Sequence, residues 1–122
     1  MTRHQINLKV SRFPISRELI SRTIDDQLKK RGERGKIVEV EVVGVNKIRT
    51  LNKKFLNQDR ATDVLSFPLG KIPGEKYENI GTIVVCNDII KSQAKDHQVA
   101  FEGEFLKMLR HGVDHLLGIH HK

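Results

Sequence analysis

The chain opens on a short alternation: Ile6, Leu8 and Val10 are apolar and Asn7, Lys9 and Ser11 are polar, the period of a strand with one buried face. The period then lengthens. Ile15, Leu19, Ile20, Ile24 and Leu28 recur at helical spacing; Ser16 is placed to cap the first turn, Ile15 and Ile20 to form a hydrophobic staple, and Gly32 and Gly35 to end the helix. Val38, Val40 and Val42 alternate with Glu39 and Glu41, predicting a second strand that runs out at Gly44. A short helix is expected from Asn46, with Ile48, Leu51 and Phe55 on one face.

Residues 62–67, Thr-Asp-Val-Leu-Ser-Phe, read as a third strand stopped by Pro68, which has no N–H to give a ladder. Residues 69–80 read as a loop holding Gly70, Pro73 and Gly74, long enough to serve as a binding loop or lid. An apolar fourth strand is expected over 81–86, followed by a helix that Asn87 caps and that carries Ile89, Ile90 and Ala94. The last helix is expected from about Ala100 to Leu117. No repeat or linker interrupts this order, which predicts one α/β (α+β) domain over residues 1–122, a mixed sheet of about four strands with helices packed on it.

Composition narrows the class. With 122 residues the chain suffices for a core that buries roughly two-thirds of its unfolded surface. A 38% apolar and 30% charged content is neither that of a disordered chain nor that of a membrane protein, and apolar runs such as 83–86 fall far short of the ~20 residues of a membrane span. Cys86 is the sole cysteine, so no intramolecular disulfide can form, and the N-terminus lacks the apolar core of a signal peptide; a reducing cytoplasm is expected. A net charge of +7 makes polyanions the first class of partner to consider.

The chemistry concentrates in residues 111–121. His111 and His115 are four apart on a predicted helix, so their rings leave one face side by side, close enough to share a metal ion. Gly118 can take the left-handed conformation that ends a helix and turns the chain back, bringing His121 toward the same ion. Three imidazoles leave a fourth position open for water or substrate, the arrangement of a catalytic zinc site, although three imidazoles also suit Ni²⁺, Cu²⁺ or Co²⁺. This is the spacing of a zincin-like metal helix, H-E-x-x-H-x-x-G-x-x-H, with Gly112 where a metalloprotease carries its glutamate base; peptide hydrolysis by that route is disfavoured.

His120 is expected in solvent beside His121, with which it could exchange, and His4 and His97 have no partners at ligand spacing. Asp114 and Ser66 are the candidate protein groups for proton movement beside the metal. Asp114 and Glu104 flank or share the histidine face at helical spacing and could hydrogen-bond a ligand, but an ordinary surface role is expected for each.

These residues carry a resemblance. His111-Gly112, His115-Leu116, Gly118 and His121 resemble the H-G-x-L-H-L-x-G-[YF]-D-H signature of the YbeY family of single-strand endoribonucleases. Leu51-Asn52, Phe55 and the run from Asp59 to Pro68 are similar to that family's L-N-x-x-[YF]-R-x-x-[DN]-x-x-T-[DN]-V-L-S-F-P, and Gly81 and Ile83 to its G-D-I-x-I. The resemblance implies a small α/β fold with the metal helix beside the sheet and the strand at 62–68 lining a cleft. It implies one Zn²⁺ on His111, His115 and His121, single-stranded RNA as substrate, and rRNA maturation at the small ribosomal subunit among its assembly factors. Lys and Arg near the cleft would hold the RNA backbone without reading sequence.

Departures from the family pattern are specific. Leu56 stands where the family has an arginine thought to serve the substrate phosphate, Thr82 where it has the aspartate of G-D-I, Asp114 where it has an apolar residue, and His120 where it has an aspartate. Lys122 follows the motif directly, where the family continues into a short acidic helix, so His121 is expected in a terminus that frays unless metal holds it. Two readings follow: a zinc-dependent endoribonuclease, or a ribosome-assembly factor that keeps the fold and the metal but turns over little RNA.

Overall fold

A computed structural model describes residues 4–9, 13–69 and 78–120. The elements run β1 (Gln5–Leu8), α1 (Arg17–Lys30), β2 (Lys36–Val43), α2 (Val45–Leu56), β3 (Val64–Pro68), β4 (Glu78–Cys86), α3 (Asn87–Asp96) and α4 (Phe101–Leu116). The strands form one mixed sheet in the order β1-β2-β4-β3. β1, β2 and β4 are parallel, and β3 joins β4 antiparallel at the edge.

The hydrophobic pattern sorts the helices onto the two faces. Val38 and Val40 of β2 and Ile83 and Val85 of β4 point to one side, where α1 brings Ile20, Ile24 and Leu28 and α4 brings Phe105, Met108, Leu109, Val113 and Leu116. Val84 and Cys86 of β4 and Leu65 of β3 point to the other side and meet Ile48 of α2. β4 is therefore covered on both faces, which is why its sequence is nearly continuous in apolar residues. β2 alternates because α2 does not cover Glu39 and Glu41; Glu39 instead accepts a hydrogen bond from Thr82 and pairs with Lys9.

Local signals act as the sequence suggests at several ends. The Ser16 hydroxyl accepts a bond from the Leu19 N–H, and Gly32 turns α1 off at φ +76°. Other boundaries differ. α2 starts at Val45 with Gly44 before it, and β4 starts three residues before Gly81. The extra length comes with a bulge at Ile80: Ile37 pairs with Asn79 and Val38 with Gly81, and the Asn79 side chain accepts the Gly81 N–H. Gly81 takes φ +136°, and a Cβ there would lie 2.2 Å from the Phe67 carbonyl oxygen. Asn87 does not cap α3: it is the first helical residue, Cys86 holds the cap position, and the Asn87 Oδ1 is buried with no partner. Val10, Ser11 and the centre of the expected 69–80 loop, with Gly70, Pro73 and Gly74, lie outside the described residues.

Candidate metal and active site

α4 carries His111 and His115 on successive turns, both half-buried. The residues between them fasten the helix in three directions. Gly112 lies against β4 so closely that a Cβ would stand 2.7 Å from the Ile83 Cγ2. That contact explains the missing protease glutamate in packing terms, since any side chain at 112 drives α4 off the sheet. The Gly112 carbonyl accepts a hydrogen bond from the Ser66 hydroxyl of β3 at 3.2 Å. Ser66 is thus tied to the metal helix between the two histidines.

Asp114 supplies the third attachment, and here the expected surface role is overturned. Its side chain is only 2% exposed. It accepts from Gln27 Nε2 at 2.8 Å, Arg31 Nε at 2.9 Å and Arg31 Nη2 at 2.6 Å, a forked pair with α1 that raises the Arg31 pKa further above its ordinary value. Glu104 is likewise buried, at 4% exposure, because the C-terminal turn of α3 folds over it and His97 Nδ1 meets its Oε2 at 2.7 Å. A buried carboxylate needs such partners, and both are found on helices packed beside α4. His97 is therefore a structural histidine, and so is His4, whose Nδ1 accepts the Lys36 N–H at 3.0 Å.

Sequence reading missed Gln27 and Arg31. The available signal was Gln27 itself, a polar residue in the stripe of Ile20, Ile24 and Leu28, which calls for a buried polar partner.

The helix ends as the glycine implies. Gly118 has φ +79°, and the Ile119 N–H returns to the Asp114 carbonyl at 2.8 Å. The reversal carries the exposed His120 back to His115, with ring centroids 5.4 Å apart. His121, the expected third ligand, lies outside the described residues; among those described, no three His, Cys, Asp or Glu side chains gather as a metal cluster. The donors that are described fit a metal: two imidazoles on one helix face, followed by a turn that returns His120 to the second of them.

A sequence model of the family Endoribonuclease YbeY matches residues 3–122. The chain belongs to the YbeY family. A relative named Endoribonuclease YbeY from Aquifex aeolicus is 29% identical over 120 residues, covering 98% of this chain and 79% of the relative. Relatives of the same name from Sulfurihydrogenibium and Aliarcobacter butzleri are 34% and 38% identical over 85 and 87 residues, covering 70% and 71% of this chain but 56% and 61% of their own lengths. The solution structure of TM1509 from Thermotoga maritima superposes with a TM-score of 0.63 at 31% identity, covering 98% of this chain and 75% of that one. Within this YbeY-family fold Leu56, in the family's arginine position, is half-exposed at the end of α2. No described helix is long and apolar enough to cross a membrane.

Proposed function

We propose that this protein is a metal-dependent endoribonuclease of single-stranded RNA, acting in the cytoplasm in rRNA maturation at the small ribosomal subunit. The observation that carries the reading is the His111/His115 pair followed by the Gly118 turn in a YbeY-family chain. His111, His115 and His121 would hold one Zn²⁺, which when bound supplies a Lewis acid for a phosphodiester oxygen. The protein's own part is to hold the two imidazoles of α4 still: Gly112 seats α4 on Ile83, Ser66 fixes the helix to β3, and Asp114 locks it to α1. The net charge of +7 would draw the RNA backbone toward the protein.

The test is cleavage of a labelled single-stranded RNA by protein stripped and reloaded with zinc. Cleavage is expected with wild type and lost in His111→Ala; equal cleavage by both overturns the proposal. Zinc should also raise the melting temperature of wild type and not of His115→Ala, because a ligand bound only to the native state stabilises by ~2.7 kcal/mol at a hundred times its Kd. A second reading rests on Leu56: without the family's arginine, the protein serves as an assembly factor that binds small-subunit particles and turns over little. It predicts salt-sensitive association with those particles that survives His115→Ala.

A further inference from the structure

The helical pattern groups Phe55 with Ile48 and Leu51, but the three part company. Ile48 is fully buried and Leu51 packs beside it, while Phe55, one turn further, overhangs the end of the cluster at 56% exposure. Phe55 is still ordered by its neighbours. The Phe67 ring of β3 meets it edge-on, with centroids 5.4 Å apart and planes at 71°, and the Lys54 Nζ lies 5.3 Å from its ring centre. Leu56 and Leu69 are exposed nearby in the chain at 50% and 56%.

The charge on α2 itself has one sign. α2 carries Lys47, Arg49, Lys53 and Lys54 and no acidic residue. Asp59, just beyond the helix, binds Arg49 at 2.8 Å and lies 4.0 Å from Lys53, and Arg60 is exposed beside it. Protein interfaces are depleted in lysine. A half-exposed aromatic ring among cations, with Lys54 over it, instead matches a nucleobase with its phosphate: the ring stacks on the base and the cations take the backbone.

We propose that Phe55, braced by Phe67, is a stacking platform for one base of a single-stranded RNA, with Lys54 and its neighbours on the adjoining phosphates. The proposal deepens the nuclease reading and rests on it for the identity of the polyanion. Position supports it. Successive residues of a strand point to opposite faces, so Phe67 turns to α2 while Ser66 turns to α4 and bonds Gly112 between the two histidines. β3 is an edge strand, and among the described residues no further strand lies between the platform and the histidine helix on that side. Among the described elements, RNA anchored at Phe55 has the edge strand β3 to cross.

The chain has no tryptophan, so Phe55→Trp introduces a lone indole at the platform. Twelve-residue oligo(A) RNA, fluorescein-labelled for anisotropy and unlabelled for emission, is titrated into the full chain in chelator. The indole emission should be quenched on binding. Phe55→Ala and Phe55→Leu should each weaken binding about 5- to 150-fold, Leu because it keeps apolar bulk but no π-face, while Phe55→Trp binds at least as tightly as wild type. Lys91→Ala on α3 should change affinity less than about twofold.

Unquenched emission, or Phe55→Leu binding like wild type, overturns the platform. Circular dichroism is expected to show all variants folded, since the ring is mostly in solvent. RNA binding that depends on Phe55 without cleavage on zinc addition supports the platform and overturns the nuclease reading. Cleavage by zinc-loaded protein, with affinity indifferent to residue 55, overturns the platform alone. An RNA that does not bind overturns both.

Discussion

Replacing Asp114 by alanine should unlock the histidine helix from α1. The carboxylate is almost wholly buried and is met by a buried amide, Gln27, and by the forked guanidinium of Arg31. Arg31 reaches solvent, its side chain being 28% exposed, so its donors can turn to water and add little to the loss. Gln27 cannot. A hydrogen bond to a charged group contributes about 1.5–3 kcal/mol, and the gap left by the carboxylate adds about 1 more. The expected loss is therefore about 2.5–4 kcal/mol, which at about 4 °C per kcal/mol lowers the melting temperature of a domain this size by about 10–16 °C. Asp114→Asn keeps the volume and an acceptor for Gln27 and should lose less than half as much.

Urea unfolding followed by far-ultraviolet circular dichroism measures both, in chelator so that bound metal contributes nothing. The double variant Gln27→Leu/Asp114→Ala removes both partners and should fall short of the sum of the single losses by at least about 1 kcal/mol. Losses that simply add, or an Asp114→Ala chain within about 0.5 kcal/mol of wild type, would refute the reasoning.

Three further outcomes are expected. Gly112→Val should be destabilised by about 1–3 kcal/mol or more and should bind zinc more weakly, because its Cβ meets Ile83 at 2.7 Å and α4 must lift; a calorimetric zinc titration matching wild type counts against it. Glu104→Leu should be better tolerated than His97→Ala in a thermal melt, since the first removes the buried carboxylate and the second leaves it with the more distant Lys107, at 3.9 Å. Burial first, with Lys29 and Lys36, holds the His4 imidazole below its ordinary range, against the pull of Asp25 and the Glu33 carbonyl. A depressed folded pKa means that its contribution is full above the unfolded value of about 6.5 and is lost as pH falls through the folded one. The slope of stability against pH below 6.5 should therefore flatten in His4→Gln, and an unchanged slope removes His4 from the account.

Much of this arrangement was legible because its physics is local. The alternation of Val38, Val40 and Val42, the Ser16 cap and the Gly118 reversal are decided by neighbours a few residues away, and the structure keeps each of them. Asp114 was illegible because periodicity says which way a side chain points and nothing of who waits there: Gln27 and Arg31 are 87 and 83 residues away, whereas Glu104 meets His97 only seven residues back, across the turn between α3 and α4. Phe55 misled for a related reason. Its spacing is right for burial, but β3 is the edge strand, and Phe67 covers only part of the Phe55 ring. The histidine pair was readable from spacing alone, whereas the three contacts that hold it were not.

The reach of the Asp114 contact also bears on the order in which the molecule assembles. β1, α1 and β2 are contiguous in sequence and can come together over short loops, but β2 pairs with β4 across the whole of α2 and β3, and α4 then closes on α1 over more than 80 residues. Loop closure is an entropic toll that rises with separation, and contacts of this range form late on the folding pathway. The placing of the α4 imidazoles accordingly depends on closures that span most of the chain, and so belongs to the whole fold and not to α4 alone.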